Sequence, residues 1–165
     1  MDHSANISPL KKYGALLDRA QFHADAMSTC AKVQVGSLVI TENFTTVVGC
    51  NHGIERNCRN TLCNRIEKYG DDSKNHRLPS DCVSIHSEVD AICRAARMGV
   101  KLENAVIFVT RYPCEACARA IAQSGIRKVV YGRKEKMSDM SEKTLSSFNV
   151  EVIHVEDWQY KDNNS

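Results

Sequence analysis

The sequence predicts a three-layer α/β fold, with helices on both faces of a mixed five-stranded sheet. Two observations carry this. Helical and strand-like segments alternate along the chain in the order α-β-β-α-β-α-β-α-β. The last two strand-like runs are separated by residues 132–149, which include a helical segment. A crossover of that length joins parallel strands, because an antiparallel pair needs only a tight turn.

Each element has its own signal. Residues 11–28 place Leu16, Leu17, Ala20, Ala24 and Met27 at helical spacing. Two β-rich runs, 33–40 and 45–50, flank the polar turn TENF and read as a hairpin. Residues 84–99 read as a helix ended by Gly99, a favourable C-cap. The run NAVIFVT is almost wholly apolar, as suits a central strand covered on both faces, with Ile107, Phe108 and Val109 in the core. YPCEACARAIAQSG reads as a helix between Pro113 and Gly125. RKVVYG is a strand, DMSEKTLSSFN a helix with Ser141 as candidate N-cap, and VEVIHV the last strand. Trp158 follows, to pack on the domain or at a subunit contact.

The 165 residues suit one domain, 1–165, carrying a Cys/His-rich insert at about 51–82. With 42% hydrophobic and 25% charged residues the chain reads as globular rather than disordered. No run approaches the ~20 apolar residues of a membrane span. The first residues lack an apolar signal region, so a cytoplasmic location and no membrane partner are expected. A net charge of +2 and 6% aromatic residues argue against a nucleic-acid partner, which would want a basic face and stacking platforms.

Eight cysteines in a reducing compartment point to metal ligands, nucleophiles or small core residues rather than disulfides. Cys50, Cys58, Cys63 and Cys82 cluster with His52 and His76 in and beside the insert. The insert is polar and aperiodic, and a loop that long needs a function or a pin.

Two segments carry chemistry together: His86-Ser87-Glu88 and Pro113-Cys114-Glu115-Ala116-Cys117. H-x-E followed by P-C-x-x-C is the pattern of zinc deaminases that act on nucleobases. Cys114 and Cys117 share one helical face at a helix N-terminus, where thiolates are favoured. His86 opens the preceding helix. Three protein ligands leave a fourth position for water, the catalytic rather than the structural arrangement. Glu88 is then free to carry protons. The alternatives are a redox C-x-x-C pair, or a closed structural zinc site in a non-enzymatic module. A structural site has no need of Glu88. Cys93, seven residues past His86, reads as a small buried core residue.

Over about residues 13–155 the chain resembles the cytidine deaminase superfamily, and within it the phage-type deoxycytidylate (dCMP) deaminases. KVQVGSLVI resembles the family's first strand and VVGCNHG its G-x-N-G turn. IHSEVDAICRAARMG and FVTRYPCEACARAIAQSGIRKVVYG resemble its two metal helices and adjoining strand. The resemblance implies a cytidine-deaminase-like fold. It implies zinc on His86, Cys114 and Cys117, proton transfer by Glu88, and substrate contacts from Asn51 and Gly53. It also implies a product, dUMP, that feeds thymidylate synthesis. A homo-oligomer, hexameric in many members, with dCTP and dTTP as effectors, goes with it, in a host cytoplasm if the source is viral. The parallel last strand separates the chain from free-cytidine deaminases, in which that strand is antiparallel.

The resemblance leaves some readings open. Position 87 is Ser where Ala is usual, and position 90 is Asp where Asn is usual. Asp90 is either near the substrate or a solvated helix residue. Another cytosine nucleotide or a nucleic-acid base would be the alternative substrate. Tyr112 stands at a strand's carboxyl end, where ligands gather in open α/β sheets, to stack on a base or simply to pack. Some phage members carry a second, structural zinc. Its matching positions here hold Cys30 and His76; the loop offers Cys58 or Cys63, with Cys82 as a further candidate for a four-ligand site, and the alternative is free thiols on a loop ordered by other contacts. Arg56, Arg59, Arg65, Lys74 and Arg77 of the insert offer charge for a monophosphate.

Overall fold

The computed structural model describes residues 9–53, 63, 82, 84–134 and 139–160. The chain runs α1 (Pro9–Met27), β1 (Gly36–Ile40), β2 (Thr46–Cys50), β3 (His52–Gly53), β4 (Ser84–Ile85), α2 (Ser87–Met98), β5 (Val106–Arg111), α3 (Glu115–Gln123), β6 (Lys128–Arg133), α4 (Asp139–Ser147) and β7 (Glu151–His154). The main sheet has the order β2-β1-β5-β6-β7. β1 is antiparallel to β2 and β5, whereas β5, β6 and β7 run parallel. The expected fold class is borne out, including the parallel last pair and the central place of β5.

Side chains alternate across β5, so it feeds two cores. Ile107 and Val109 pack with Ala91 and Ala95 of α2, Ala118 and Ile121 of α3 and Leu145 of α4. Phe108 faces the other way, with Leu17 and Ala20 of α1, Val130 and Trp158. Helices therefore cover both faces, and α2 and α3 share one of them.

Two glycines let helices sit directly on the sheet backbone. A Cβ at Gly36 would meet the Ala20 carbonyl, and one at Gly49 would meet the Ser87 carbonyl and the Ala91 amide. The second contact fixes the height at which α2 begins.

Four details differ from the sequence reading. Ser84 and Ile85 are not helical but pair, as β4, with Gly53 and His52 of β3. The chain is thus held extended up to His86, which caps α2. Ser141 is not an N-cap; it lies buried in the first turn of α4 and its hydroxyl donates to the Pro113 carbonyl at 2.9 Å. Cys93 is exposed, because the buried stripe of α2 runs through Ser87, Glu88, Ala91 and Ala95 and leaves position 93 on the other side. Met27 is exposed, so the packed stripe of α1 ends at Ala24. Trp158 packs on the domain itself: it covers Gly132, and its indole N–H donates to Asp18 at 2.8 Å. Among the described residues no helix is long and apolar enough to cross a membrane.

Glycine substitutions should have opposite signs. Gly49→Ala overpacks the α2 contact and should cost about 1–3 kcal/mol or more. Gly14→Ala, inside α1 and with only Trp158 within ordinary contact, should gain about 0.5–1 kcal/mol. Urea unfolding of both variants checks the pair.

Candidate active site

The N-termini of α2 and α3 end side by side at one edge of the sheet. His86 caps α2 with extended backbone (φ −76, ψ 152), and Cys114 caps α3 likewise (φ −72, ψ 171). Cys117 follows in the first turn of α3. The Cys114 and Cys117 sulfurs each lie 3.4 Å from His86 Nδ1. All three donor atoms fall within 4.8 Å of one another. A tetrahedral zinc with Zn–S of ~2.3 Å and Zn–N of ~2.05 Å sets sulfur and nitrogen ~3.6 Å apart, so the cluster fits that ion. His86 and Cys114 are exposed and Cys117 is buried, which leaves one side of the cluster open to solvent.

The two thiols pull against each other. Contact with Cys117, helped by His86, holds Cys114 down to about 3. The same contact, with burial, pushes Cys117 up. A shared divalent cation removes this conflict by taking both as thiolates.

Glu88 points into the protein rather than into solvent, and is 4% exposed. Burial raises its pKa, against the opposing pull of its own backbone amide and His86. Its carboxyl also lies against the Cys117 thiol. The Ser87 hydroxyl donates to Glu88 Oε2 at 3.1 Å and meets the Ser37 hydroxyl at 2.8 Å. Ser87 therefore ties the acid to β1. Ser37 inside the apolar run GSLVI was the signal available in the sequence.

The segment after β2 is pinned from both sides. Asn51 is 8% exposed. Its side-chain amide donates to the Val33 carbonyl at 2.8 Å, and its Oδ1 accepts from the Val35 amide at 2.8 Å. The Ser28 hydroxyl sits 2.7 Å from the Asn51 carbonyl and 2.8 Å from Oδ1. Gly53 donates its amide to Thr29 Oγ1 at 3.0 Å.

Asp90 is no solvated helix residue: it is 7% exposed. Its Oδ2 accepts from the Cys50 amide at 3.0 Å and from Arg94 Nε at 2.9 Å, and its Oδ1 lies 3.2 Å from His52 Nε2. Burial alone would raise its pKa, but Arg94, the Cys50 amide and His52 outweigh that and hold it low. Asp90 thus fastens the end of β2 to the helix that carries Glu88. The sequence held a hint in the Asp90–Arg94 spacing of four.

Tyr112 belongs to an aromatic ladder. Its ring meets Tyr131 edge-on at 4.9 Å, and Tyr131 stacks on His154 at 4.6 Å. Cys30, Cys63 and Cys82 are partly buried free thiols, and none joins a three-donor cluster among the described residues. Cys58, His76, Arg56, Arg59, Arg65, Lys74 and Arg77 lie outside the described residues.

The family model for MafB19-like deaminases matches residues 14–161. ComE operon protein 2 of Bacillus subtilis is 30% identical over 141 residues, 83% of this chain and 68% of that protein. Deoxycytidylate deaminase of Enterobacteria phage T2 is 44% identical over 72 residues, 43% of this chain but only 38% of the T2 protein. The crystal structure of dCMP deaminase from cyanophage S-TIM5, in complex with dCMP and dUMP, matches with a TM-score of 0.65 and 22% identity, over 90% of this chain and 98% of that one. That last likeness speaks to the fold. The chain belongs to the MafB19-like deaminase family. Deoxycytidylate deaminase of Mycobacterium phage D29, 30% identical over 112 residues, 65% of this chain and 84% of that protein, places it with the phage-type deoxycytidylate deaminases.

Asp90 should show in stability. Asp90→Ala leaves the Cys50 amide without its acceptor and should cost about 1–3 kcal/mol. Because the folded pKa of Asp90 lies below its unfolded value of ~3.9, its contribution is complete above that value and is lost as pH falls through the folded one. Asp90→Asn should therefore lower stability at neutral pH and flatten the loss below pH ~4. His52, Arg94 and His23 share this neighbourhood, so denaturant unfolding from pH ~2 to 7 is read against Arg94→Gln as well.

Proposed function

We propose that the protein hydrolyses the exocyclic amine of dCMP to give dUMP and ammonia. The observation that carries this is the placement of the buried Glu88 carboxyl against a three-donor His86/Cys114/Cys117 cluster with one open side. A zinc ion held there would acidify a water from its ordinary range toward pKa ~7. Cys114 and Cys117 supply thiolate charge at a helix N-terminus, and His86 a neutral nitrogen. Glu88 takes the proton from the attacking water, gives it to ring nitrogen N3, and passes a second to the departing amine. The water oxygen adds to C4 as N3 is protonated, and the C4–N bond breaks afterwards, when Glu88 moves the proton of the new C4 hydroxyl to the amine. The raised pKa of Glu88 suits a group that must both accept and return protons near neutrality. On the resemblance Asn51 and Gly53 form the sugar side of the site, while the Tyr112 ring packs against Tyr131.

The dCMP reading is supported by the names of the phage relatives and by the dCMP and dUMP bound to the S-TIM5 protein. The commitments of Asp90 to Cys50, His52 and Arg94 are those of an anchor, which favours the ordinary substrate over an altered one. The same reading takes 1–165 as one domain in a cytoplasm, that of a host if the source is viral. Supply of thymidylate synthesis, a homo-oligomer with dCTP and dTTP as effectors, and a structural zinc on Cys30, Cys58 or Cys63, His76 and Cys82 accompany it on the resemblance alone.

The test is ammonia release by zinc-replete protein from dCMP, CMP, deoxycytidine, dCTP and a single-stranded oligonucleotide. dCMP should be turned over best. Glu88→Gln should lower kcat by roughly 10²–10⁴-fold while zinc content and thermal unfolding stay as in the parent. Turnover that survives Glu88→Gln, or no turnover of any cytosine compound with zinc bound, would contradict the reading.

A further inference from the structure

We propose that Arg111 and Arg133, paired across the carboxyl ends of β5 and β6, hold the phosphate of the nucleotide substrate. This rests on the deaminase reading above and names the residues that would make it specific for a nucleotide.

The two arginines are register partners in a parallel ladder. The Tyr112 amide donates to the Arg133 carbonyl at 3.1 Å, so the pairing continues one residue past Arg111. Both sit at the edge of a parallel sheet where ligands bind in open α/β folds. Arg111 stands three residues before Cys114, on the strand that leads directly into the metal-site helix. It is half-buried, and it lies within electrostatic reach of Cys30. The Cys30 amide donates to Ser28 Oγ at 3.3 Å, and that hydroxyl contacts Asn51. Through Cys30 and Ser28, Arg111 is therefore a neighbour of the Asn51 segment. Arg133 is exposed, but its guanidinium lies over the Trp158 ring at 5.6 Å, and that ring is itself fixed by Asp18. Lys134 follows at once.

Like charges placed side by side repel, and an anion between them turns the repulsion into attraction. Burial, and then the neighbouring Arg133, hold the Arg111 guanidinium below its usual pKa, which agrees with that closeness. A phosphate monoester carries about −1.5 to −2 charges near neutral pH, and two planar forks match its oxygens bidentately. The geometry requires nothing from the insert, where the sequence placed the phosphate contacts.

The test compares the affinities of dUMP and deoxyuridine for the zinc-loaded full chain by calorimetry, with inorganic phosphate as a third probe. The parent protein should prefer dUMP. Arg111→Gln and Arg133→Gln should each cut that preference about ten-fold or more, with phosphate binding falling in parallel, and the Lys variants should keep part of it. Zinc content and melting temperature report on folding. Arg133 is exposed, so Arg133→Gln tests the proposal even where Arg111→Gln does not fold. An unchanged preference in Arg133→Gln overturns it. So does a loss that follows only Arg56→Gln, Arg59→Gln, Arg65→Gln, Lys74→Gln or Arg77→Gln. Ammonia release from dCMP by the parent protein is scored separately. Selective dUMP binding without turnover would sink the reaction while leaving the phosphate seat standing.

Discussion

The 3.4 Å approach of His86 Nδ1 to both Cys114 Sγ and Cys117 Sγ is the constraint around which the rest is arranged. It requires two helices to begin at the same place on one sheet face. The parallel β5-α3-β6 connection carries Cys114 to the carboxyl edge, and short side chains at Ala91, Ala95 and Ala118 let α2 and α3 lie close over the same strands. Gly49 fixes the height of α2 by admitting its backbone directly onto β2. Both caps adopt extended backbone rather than helical, so His86 and Cys114 are presented at the helix ends and not along their sides.

Around this cluster the buried polar groups form two latches. One runs from Ser37 through Ser87 to Glu88 and orients the acid. The other runs from Cys50 and His52 through Asp90 to Arg94 and holds the Asn51 segment against α2. Buried polar groups are tolerable when their partners are supplied, and here the partners come from elements far apart in sequence.

The order of elements along the chain, the parallel final pair and the three-donor cluster were legible in the sequence, because each has a local signal. An apolar run marks β5, a long crossover sets strand direction, and H-x-E with P-C-x-x-C places donors at two helix starts. What escaped was set by tertiary context. Two-residue strands such as Ser84–Ile85 have no periodicity to read, and pairing with His52 and Gly53 is what makes them strands. Asp90 and Arg94 look like an exposed helix pair until the end of β2 is laid over them. Cys93 is exposed because the buried stripe of α2 is set by Ser87, Glu88, Ala91 and Ala95 and not by the His86 cap. Arg111 and Arg133 lie far apart in the chain, and only the register of a parallel ladder makes them neighbours.

The most direct test of the central claim is to run the dCMP reaction in heavy-oxygen water and read the product by mass spectrometry. Hydrolysis at the Glu88 site predicts dUMP carrying one heavy oxygen at C4, with one ammonia released for each dUMP formed. A product without the label, or no dUMP from protein shown to hold zinc on His86, Cys114 and Cys117, would contradict it.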